Sequence, residues 1–150
     1  MKIVQATIED LIPVSRLFDL YRVFYQQPED QEGALAFLKE RFINQDSVIF
    51  TAVSEEGNYV GFTQLYPLFS SVSMKKSYLL NDLFVHPDAR SRGVGGLLLD
   101  AAREYAIKTG AKGLSLQTAL DNTAAQALYE KYGYNRETEF IQYNLLTPGN

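Results

Sequence analysis

The stretch from residue 77 to 120 constrains the fold more than any other, because it predicts a strand, a helix and a second strand in that order. SYLLNDLFV (77–85) and LSLQTAL (114–120) are typical of strands. Between them a helix is predicted from about Gly93 to Thr109, with Gly110 as its C-cap. Two strands of one sheet that are joined through a helix run parallel. The chain therefore needs a sheet with at least one parallel pair.

The remaining elements place this unit in a larger mixed sheet. Strands are predicted at 3–6, 47–54, 59–69 and 140–146, and helices at 11–25, 34–42 and from about residue 123. Hairpin-length connections predict antiparallel pairing for the early strands. The order β-α-α-β-β-β-α-β-α-β, without repeats or a long linker, predicts one α/β domain over residues 1–150, an α+β mixed sheet covered by helices.

Composition excludes several classes of function. The net charge of -4 argues against a nucleic-acid partner, and no apolar run approaches the roughly 20 residues that a membrane span needs. The absence of cysteine excludes disulfides and thiol nucleophiles, and makes the cytoplasm the expected location. The single histidine, His86, lies in a turn-like HPD sequence, so no metal site is expected and a surface turn histidine is the favoured interpretation.

ARSRGVGGLLLD (89–100) places three glycines and two arginines at the start of an otherwise good helix. Each interior glycine costs a helix up to about 1 kcal/mol, which calls for a compensating role. A helix start without Cβ atoms at Gly93, Gly95 and Gly96 lets a phosphate approach the backbone N–H groups, and Arg90 and Arg92 add charge. The alternatives are a flexible loop or tight helix–sheet packing. The string fits neither the dinucleotide fingerprint nor the P-loop, but it spells R-x-x-G-x-G.

Two blocks at the right separation resemble the GCN5-related N-acetyltransferase (GNAT) superfamily. DLFVHPDARSRGVGGLLLDAA resembles the family's R/Q-x-x-G-x-G/A motif after a strand that ends in V-x-P, and LSLQTALDNTAAQALYEKYGY resembles its second block. The likeness covers about all 150 residues, and SYLLNDLFV is especially similar to diamine and yeast histone/polyamine acetyltransferases. The resemblance implies the GNAT acyl-CoA N-acyltransferase fold, acetyl-CoA as co-substrate and acetyl transfer to a primary amine.

The resemblance also implies which residues hold acetyl-CoA. Residues 91–96 would bind the diphosphate through main-chain N–H groups. The strand 83–85 would pair its backbone with the pantetheine arm, where the strands 79–85 and 114–120 separate. The implied cofactor-binding residues are Leu83, Phe84, Val85, Arg90, Ser91, Arg92, Gly93, Val94, Gly95, Gly96 and Asn122.

Two residues are candidates for catalysis. Tyr129 stands at the family's general-acid tyrosine, although tyrosines at helical spacing also form core. Diamine acetyltransferases carry Glu-Asp where this chain has Asn81-Asp82, so Asp82 is a candidate to bind the amine or to relay its proton through water. The alternative is a strand-end carboxylate that faces solvent or an arginine. Strand alternation predicts that Asn81 and Asp82 lie on opposite faces.

Other residues have supporting interpretations. Asn122 is both a predicted helix cap and, by resemblance, a contact to the cofactor near the thioester. A backbone N–H near Phe84 or Val85 would polarise the carbonyl. An aromatic and acidic opening that suits cationic amines is also predicted. Its residues are Tyr21, Tyr25, Glu29, Asp30, Glu32 and Tyr66. The acidic residues among them fit a solvated helix start equally well.

The leading hypothesis is an acetyl-CoA-dependent N-acetyltransferase that acts on the primary amine of a small molecule such as a polyamine, an amino acid or a lysine-like compound. The alternatives are a protein or peptide acetyltransferase for lysine or N-terminal amines, and a non-catalytic acyl-CoA-binding sensor. A homodimer is expected, with no membrane and no nucleic-acid partner.

Overall fold

The computed structural model describes residues 1–149. The chain forms two compact units, Met1–Gln117 and a second unit that begins at Thr118. The assignment of residues 1–150 to a single domain stays a prediction. The strands are β1 Lys2–Gln5, β2 Val48–Val53, β3 Tyr59–Ser70, β4 Lys75–Val85 and β5 Leu114–Ser115; the helices are α1 Leu11–Phe24, α2 Gln31–Asn44, α3 Val94–Lys108 and, in the second unit, α4 Thr123–Lys131. Within residues 1–149, no helix combines the length and apolarity needed to cross a membrane.

The first unit contains one five-stranded mixed sheet. Its strands follow the sequence order β1-β2-β3-β4-β5. The first four strands pair antiparallel, whereas β4 and β5 pair parallel, because α3 carries the chain back to the same edge. The mixed α+β fold and the parallel strand–helix–strand unit are therefore confirmed.

Helices cover both faces of this sheet. On one face α1 and α2 pack on a core of fully or nearly buried apolar residues, namely Val14, Leu17, Phe18, Ala34, Leu38, Ile49, Phe62 and Phe84. On the other face α3 packs against the strands, where Tyr105 contacts Phe50 and Tyr78 with ring centroids 5.6 and 5.5 Å apart. The neighbours Ile49 and Phe50 thus point to opposite helical layers, as the period of two in a strand requires.

A glycine in β3 allows α3 to approach the sheet closely. A Cβ atom at Gly61 would lie 3.0 Å from the carbonyl oxygen of Phe84 and 3.3 Å from side-chain atoms of Val94 and Leu98. Because both strand backbone and helix side chains border this position, a larger residue would push the start of α3 away. Gly61 therefore fixes the distance between the sheet and the first turn of α3.

A β-bulge interrupts β4 at Asn81. Gln64 pairs with Asp82 and Leu65 pairs with Leu80, so Asn81 is an extra residue without an opposite partner. Before the bulge Tyr78 contacts Tyr105 of α3, and after it Phe84 contacts Tyr21 of α1. In a regular strand Tyr78 and Phe84 would lie on the same face, because an even number of positions separates them. The bulge therefore exchanges the two faces of β4.

The last two predicted strands differ from the structure. LSLQTAL forms a strand only at Leu114–Ser115, and within the second unit no strand is assigned to residues 140–146. The elements of the described chain therefore follow the order β-α-α-β-β-β-α-β-α. An alternation of apolar residues alone does not make a strand, because a strand also needs a neighbouring backbone to pair with.

Candidate active site

The first unit contains a cavity of about 470 Å³ between α1, α2 and the bulged part of β4. Its walls are mainly aromatic: Phe18, Tyr21, Tyr25, Phe37 and Tyr66. Its polar lining comprises Arg22, Gln27, Asp30, Asn81 and Asp82. Four residues of the predicted mouth, Tyr21, Tyr25, Asp30 and Tyr66, line this cavity, whereas the predicted Glu29 and Glu32 are exposed and do not. A volume in this range suits a small molecule.

Asp82 is the buried carboxylate of this cavity, with a relative exposure of 2%. Gln64 Nε2 donates to its Oδ2 at 2.5 Å, and Asn81 Nδ2 donates to its Oδ1 at 2.8 Å. Burial raises the pKa of Asp82, while the hydrogen bonds from Gln64, Asn81 and Tyr21 oppose that shift. Asp82 is therefore not the solvent-facing carboxylate of the alternative interpretation, and within residues 1–149 it forms no ion pair.

Asn81 and Asp82 line the same cavity, so the prediction that they lie on opposite faces is wrong. Strict alternation holds only in a regular strand, and the bulge at Asn81 removes that regularity. The amide of Asn81 consequently reaches the carboxylate of its own neighbour. The chain has an amide here where diamine acetyltransferases carry a glutamate, and in this structure that amide supports the remaining carboxylate.

Gln64 is the important residue that the sequence analysis missed. It is fully buried in β3, opposite Asp82, and Ser47 Oγ donates to its Oε1 at 2.9 Å. Because the Ser47 hydroxyl occupies the amide oxygen, the amide nitrogen is directed to Asp82. The one signal in the sequence was a glutamine within the apolar strand YVGFTQLYPLF.

Two of the other polar groups of the cavity, Arg22 and Asp30, are already engaged. Arg22 Nη1 forms an ion pair of 2.9 Å with Asp19 and also donates to the carbonyl of Pro28. Asp30 caps α2, since its Oδ1 accepts from the backbone N–H of Gly33 at 2.9 Å. This confirms that Asp30 serves the start of a helix. Asp82 is thus the carboxylate of the cavity that neither forms an ion pair nor caps a helix.

Two tyrosines of the cavity lie close to the Asn81–Asp82 pair. Burial, and next the charge of Asp82, raise the pKa of Tyr66 to about 12. Its hydroxyl therefore keeps its proton at neutral pH and does not act as a base. The hydroxyl of Tyr21 donates to the carbonyl of Asn81 at 3.3 Å. Among the groups lining the cavity, Asp82 is the buried carboxylate.

The glycine-marked loop enters α3 as predicted. Gly93 is the N-cap with a φ of 76°, and no atom lies within 4 Å of the position its Cβ would take. This left-handed backbone favours glycine, and the space beside it is open. Gly96 is buried and Gly95 is half-buried, while Ser91 also has a positive φ of 65°. The N–H groups of the first turn of α3 have no partner within the helix, as at any helix start.

Arg90 and Arg92 differ in their surroundings. Arg90 Nε donates to the carbonyl of Val85 at 3.0 Å, and its guanidinium lies over the rings of Phe24 and Phe84. Arg92 is exposed. Arg90 therefore ties the loop to the end of β4, whereas Arg92 faces solvent. His86 accepts from the N–H of Asp88 in the same connection, which confirms a turn histidine.

The edge of β4 beyond Leu79 is not covered by β5. The two strands pair only at Tyr78–Leu114 and Leu79–Ser115. The pairing between β4 and β5 therefore ends just before the bulge. Leu83 and Val85 are half-buried and Phe84 is buried on this part of β4. Their backbone therefore lies along a strand edge that an extended ligand can pair with.

Asn122 and Tyr129 belong to the second unit. Asn122 Oδ1 accepts from the N–H of Ala125 at 3.1 Å, which confirms the predicted cap of α4. Tyr129 lies in α4 with its ring centroid 6.0 Å from that of Tyr134. Burial, and next the neighbouring Tyr129, raise the pKa of Tyr134 to about 12.

The fold, the glycine-marked helix start and the open edge of β4 are typical of an acyltransferase. The Acetyltransferase (GNAT) family matches residues 14–134, and the chain belongs to that family. It is similar to the Uncharacterized N-acetyltransferase YhfO of Bacillus subtilis (strain 168), with 53% identity over 99% of each chain. A crystal structure of a probable acetyltransferase matches 100% of both chains with a TM-score of 0.95 and 39% identity. The protein is therefore an N-acetyltransferase.

A more distant structure shares the fold alone. AAC(6')-Iy in complex with the bisubstrate analog CoA-S-monomethyl-acetylneamine matches 97% of this chain and 98% of its own, with a TM-score of 0.79 and 21% identity.

The hydrogen bond from Gln64 to Asp82 can be tested without knowing the acceptor amine. In Gln64→Leu a donor to the carboxylate is lost, so the charged form is less stable and the pKa of Asp82 rises further. Carboxyl NMR titration of Asp82 measures this directly. Ser47→Ala, which leaves the Gln64 amide in place, serves as the matched control with a smaller shift. An unchanged titration in Gln64→Leu would contradict this role.

Proposed function

We propose that this N-acetyltransferase moves the acetyl group of acetyl-CoA to a primary amine of a small cationic molecule held in the aromatic cavity. The observation that carries this proposal is the buried carboxylate of Asp82 at the end of an aromatic cavity, without a cationic partner of its own. An ammonium group beside Asp82 supplies the missing charge, and aromatic faces attract cations. The cavity volume of about 470 Å³ favours a small molecule over a peptide chain.

Asp82 also suits the proton transfer that the reaction requires. An amine attacks a thioester only in its neutral form, so an ammonium substrate must first lose a proton. A carboxylate whose pKa is raised by burial is a stronger base than an exposed one, and the hydrogen bonds to Asp82 favour its charged form. In this proposal Asp82 binds the ammonium and accepts its proton directly or through one water.

Acetyl-CoA supplies the activated acetyl group when bound. The residues of the loop fit an anionic diphosphate, since open space adjoins Gly93 and α3 begins immediately after it. In this proposal the main chain of residues 91–96 holds the diphosphate, with Arg92 adding charge and Arg90 fixing the loop to β4. The edge formed by Leu83, Phe84 and Val85 pairs with the pantetheine arm. A backbone N–H near Phe84 or Val85 polarises the thioester carbonyl.

The general acid of this proposal comes from the family's second sequence block. Tyr129 protonates the departing thiolate, and Asn122 contacts the cofactor near the thioester besides capping α4. These two roles are supported by the position of both residues in the family's second sequence block. The cytoplasm remains the predicted location.

The acceptor class is tested first by thiol release from acetyl-CoA. The panel contains spermidine, spermine, lysine, thialysine, D-amino acids and a basic peptide. We expect turnover of small cationic amines, with kcat/KM lowered about 100-fold or more in Asp82→Asn, because the amide neither attracts a cation nor takes a proton. Asp100→Asn, an exposed carboxylate in α3, is the matched control.

The panel also separates the competing functions. Turnover of the peptide alone would identify a protein acetyltransferase, and acetyl-CoA binding without any turnover would favour the sensor. Retained activity in Asp82→Asn would contradict the assignment of Asp82. In the wild type kcat/KM for a cationic amine is expected to rise with pH through the pKa of Asp82, since the ionised carboxylate is the active form.

The loop is tested by calorimetry of acetyl-CoA binding. Gly95→Val places a branched side chain at the first turn of α3, where it obstructs the N–H groups. Loss of two hydrogen bonds to a charged group corresponds to roughly 3 kcal/mol, an affinity loss of about 100-fold. Leu97→Val changes a 40% exposed residue of the same helix and should bind as the wild type does. Equal affinities in all three proteins would exclude this phosphate site.

The acid is tested by single-turnover kinetics with bound acetyl-CoA. Tyr129→Phe removes only a hydroxyl, so acetyl-CoA affinity is expected to persist while the chemical step slows about 100-fold. Tyr132→Phe, at the C-terminal end of α4, is the matched control. If both variants turn over at the wild-type rate, Tyr129 is a packing residue.

A further inference from the structure

The side chains that bind Asp82 within the described residues are all neutral. The amides of Gln64 and Asn81 donate to its two oxygens, and the hydroxyl of Tyr21 is a third hydrogen-bond partner. No arginine, lysine or histidine of residues 1–149 forms an ion pair with it. A cation held against a carboxylate favours the charged form strongly. The surroundings of Asp82 therefore suit a group that changes its charge.

Gln64 can bind both forms of Asp82. Its Nε2 donates to the ionised carboxylate, and after a half-turn of the amide its Oε1 accepts from the O–H of the protonated acid. The two orientations of an amide have nearly the same shape, so this fully buried side chain needs no extra space to exchange them. A lysine or an arginine at this position could only donate.

Ser47 can follow such a half-turn at the other end of Gln64. Its hydroxyl donates to Oε1 at 2.9 Å while Nε2 faces Asp82. Because a hydroxyl both donates and accepts, the same Ser47 oxygen can accept from Nε2 after the half-turn. Neither end of the buried amide then lacks a partner, which avoids the cost of an unsatisfied buried polar group.

The other fully buried polar side chains of β2 and β3 have partners that cannot reverse. Thr51 Oγ1 donates to the carbonyl of Gly61, and Thr63 Oγ1 donates to the carbonyl of Asp82, each at 2.8 Å. A carbonyl oxygen only accepts. The reversible arrangement therefore lies at the carboxylate of Asp82, and these threonines have a fixed role.

We infer that Ser47 and Gln64 form a reversible pair of positioning residues that follows the proton of Asp82 during turnover. This inference rests on the proposed function, in which Asp82 accepts the proton of the acceptor amine. The ammonium loses an N–H proton and nitrogen keeps the electron pair, while Asp82 gains an O–H bond and Gln64 turns from donor to acceptor. The proton then passes to water and the amide returns. Both residues act through Asp82, since neither lines the cavity.

The first test observes the amide by NMR in isotope-labelled protein, without an acceptor or a cofactor. Above the titration midpoint of Asp82, the Nε2 hydrogens of Gln64 should show NOE contacts to the Hβ atoms of Asp82. Below the midpoint, the contacts should move to the Hβ atoms of Ser47. The matched control is Gln31, whose Nε2 donates to Ser15 Oγ at 2.9 Å without a carboxylate at its other end, and its contacts should not change.

Other titratable or charged groups also face the cavity, so the midpoint is taken from the carboxyl NMR signal of Asp82 itself. Burial raises the pKa of Tyr66 to about 12, so this hydroxyl does not titrate in the range of a carboxyl group. Arg22 is paired with Asp19. The facing groups are Tyr21, Arg22 and Tyr25 of α1 and its C-terminal end, Asp30 at the start of α2, and Tyr66 of β3.

The second test is the pH profile of kcat/KM for an amine that the wild type acetylates. Gln64→Met has a similar volume but binds neither form of Asp82. The carboxylate loses more than the acid, because hydrogen bonds to charged groups are stronger. The acidic limb should therefore move up by about one pH unit, which is an about tenfold loss of rate below the limb. Acetyl-CoA affinity should persist.

Two variants serve as controls for the pH profile. Thr51→Val loses one buried hydrogen bond outside the cavity, and its acidic limb should stay at the wild-type pH. Ser47→Thr keeps the hydroxyl that serves both orientations and should also keep the wild-type limb.

The failure of the inference differs from the failure of the proposed function. Retained turnover in Asp82→Asn would contradict the proposed function, and with it any role of Gln64 in turnover. If Asp82→Asn is inactive, two results would each overturn the inference alone. One is an acidic limb that Gln64→Met does not move, and the other is a set of Gln64 contacts that remain with Asp82 on both sides of the midpoint.

Discussion

One extra residue in β4 organises the site. The bulge at Asn81 exchanges the two faces of the strand, so that Tyr78 packs under α3 while Asp82 and Phe84 face the α1–α2 layer. In a regular strand Asp82 would share a face with Tyr78. The bulge also follows the last pair between β4 and β5, so the strand edge opens where the carboxylate turns into the cavity. An open strand edge and the aromatic cavity thereby come from one short stretch of one strand.

The same arrangement holds a carboxylate where burial opposes its charge. Desolvation raises the pKa of Asp82, and the donors Gln64, Asn81 and Tyr21 return part of the lost solvation. Between the ordinary carboxyl pKa and this raised value, the folded state binds more protons than the unfolded state. Asp82 therefore contributes less to stability as pH rises through that range. The apolar core beneath α1 and α2 offsets this cost, as is common where an active site demands an unfavourable group.

The sequence predicted most elements and the start of the glycine-marked helix correctly. The parallel strand–helix–strand unit, Gly93 at the start of α3 and the cap at Asn122 follow from local rules about glycine and short polar side chains. Those rules could not identify Gln64, because its partner Asp82 lies 18 residues away in the sequence. The two residues meet through the register of β3 on β4, which a pattern of apolar residues does not specify. The opposite-face prediction for Asn81 and Asp82 failed because a bulge leaves no mark in the alternation.

The sequence by itself determined most helices and strands and which family motifs are present, because those properties depend on neighbours within a few residues. Tertiary structure alone decided the register of β3 on β4, and with it the burial of Asp82 and its hydrogen bonds, because those depend on contacts between residues distant in the chain.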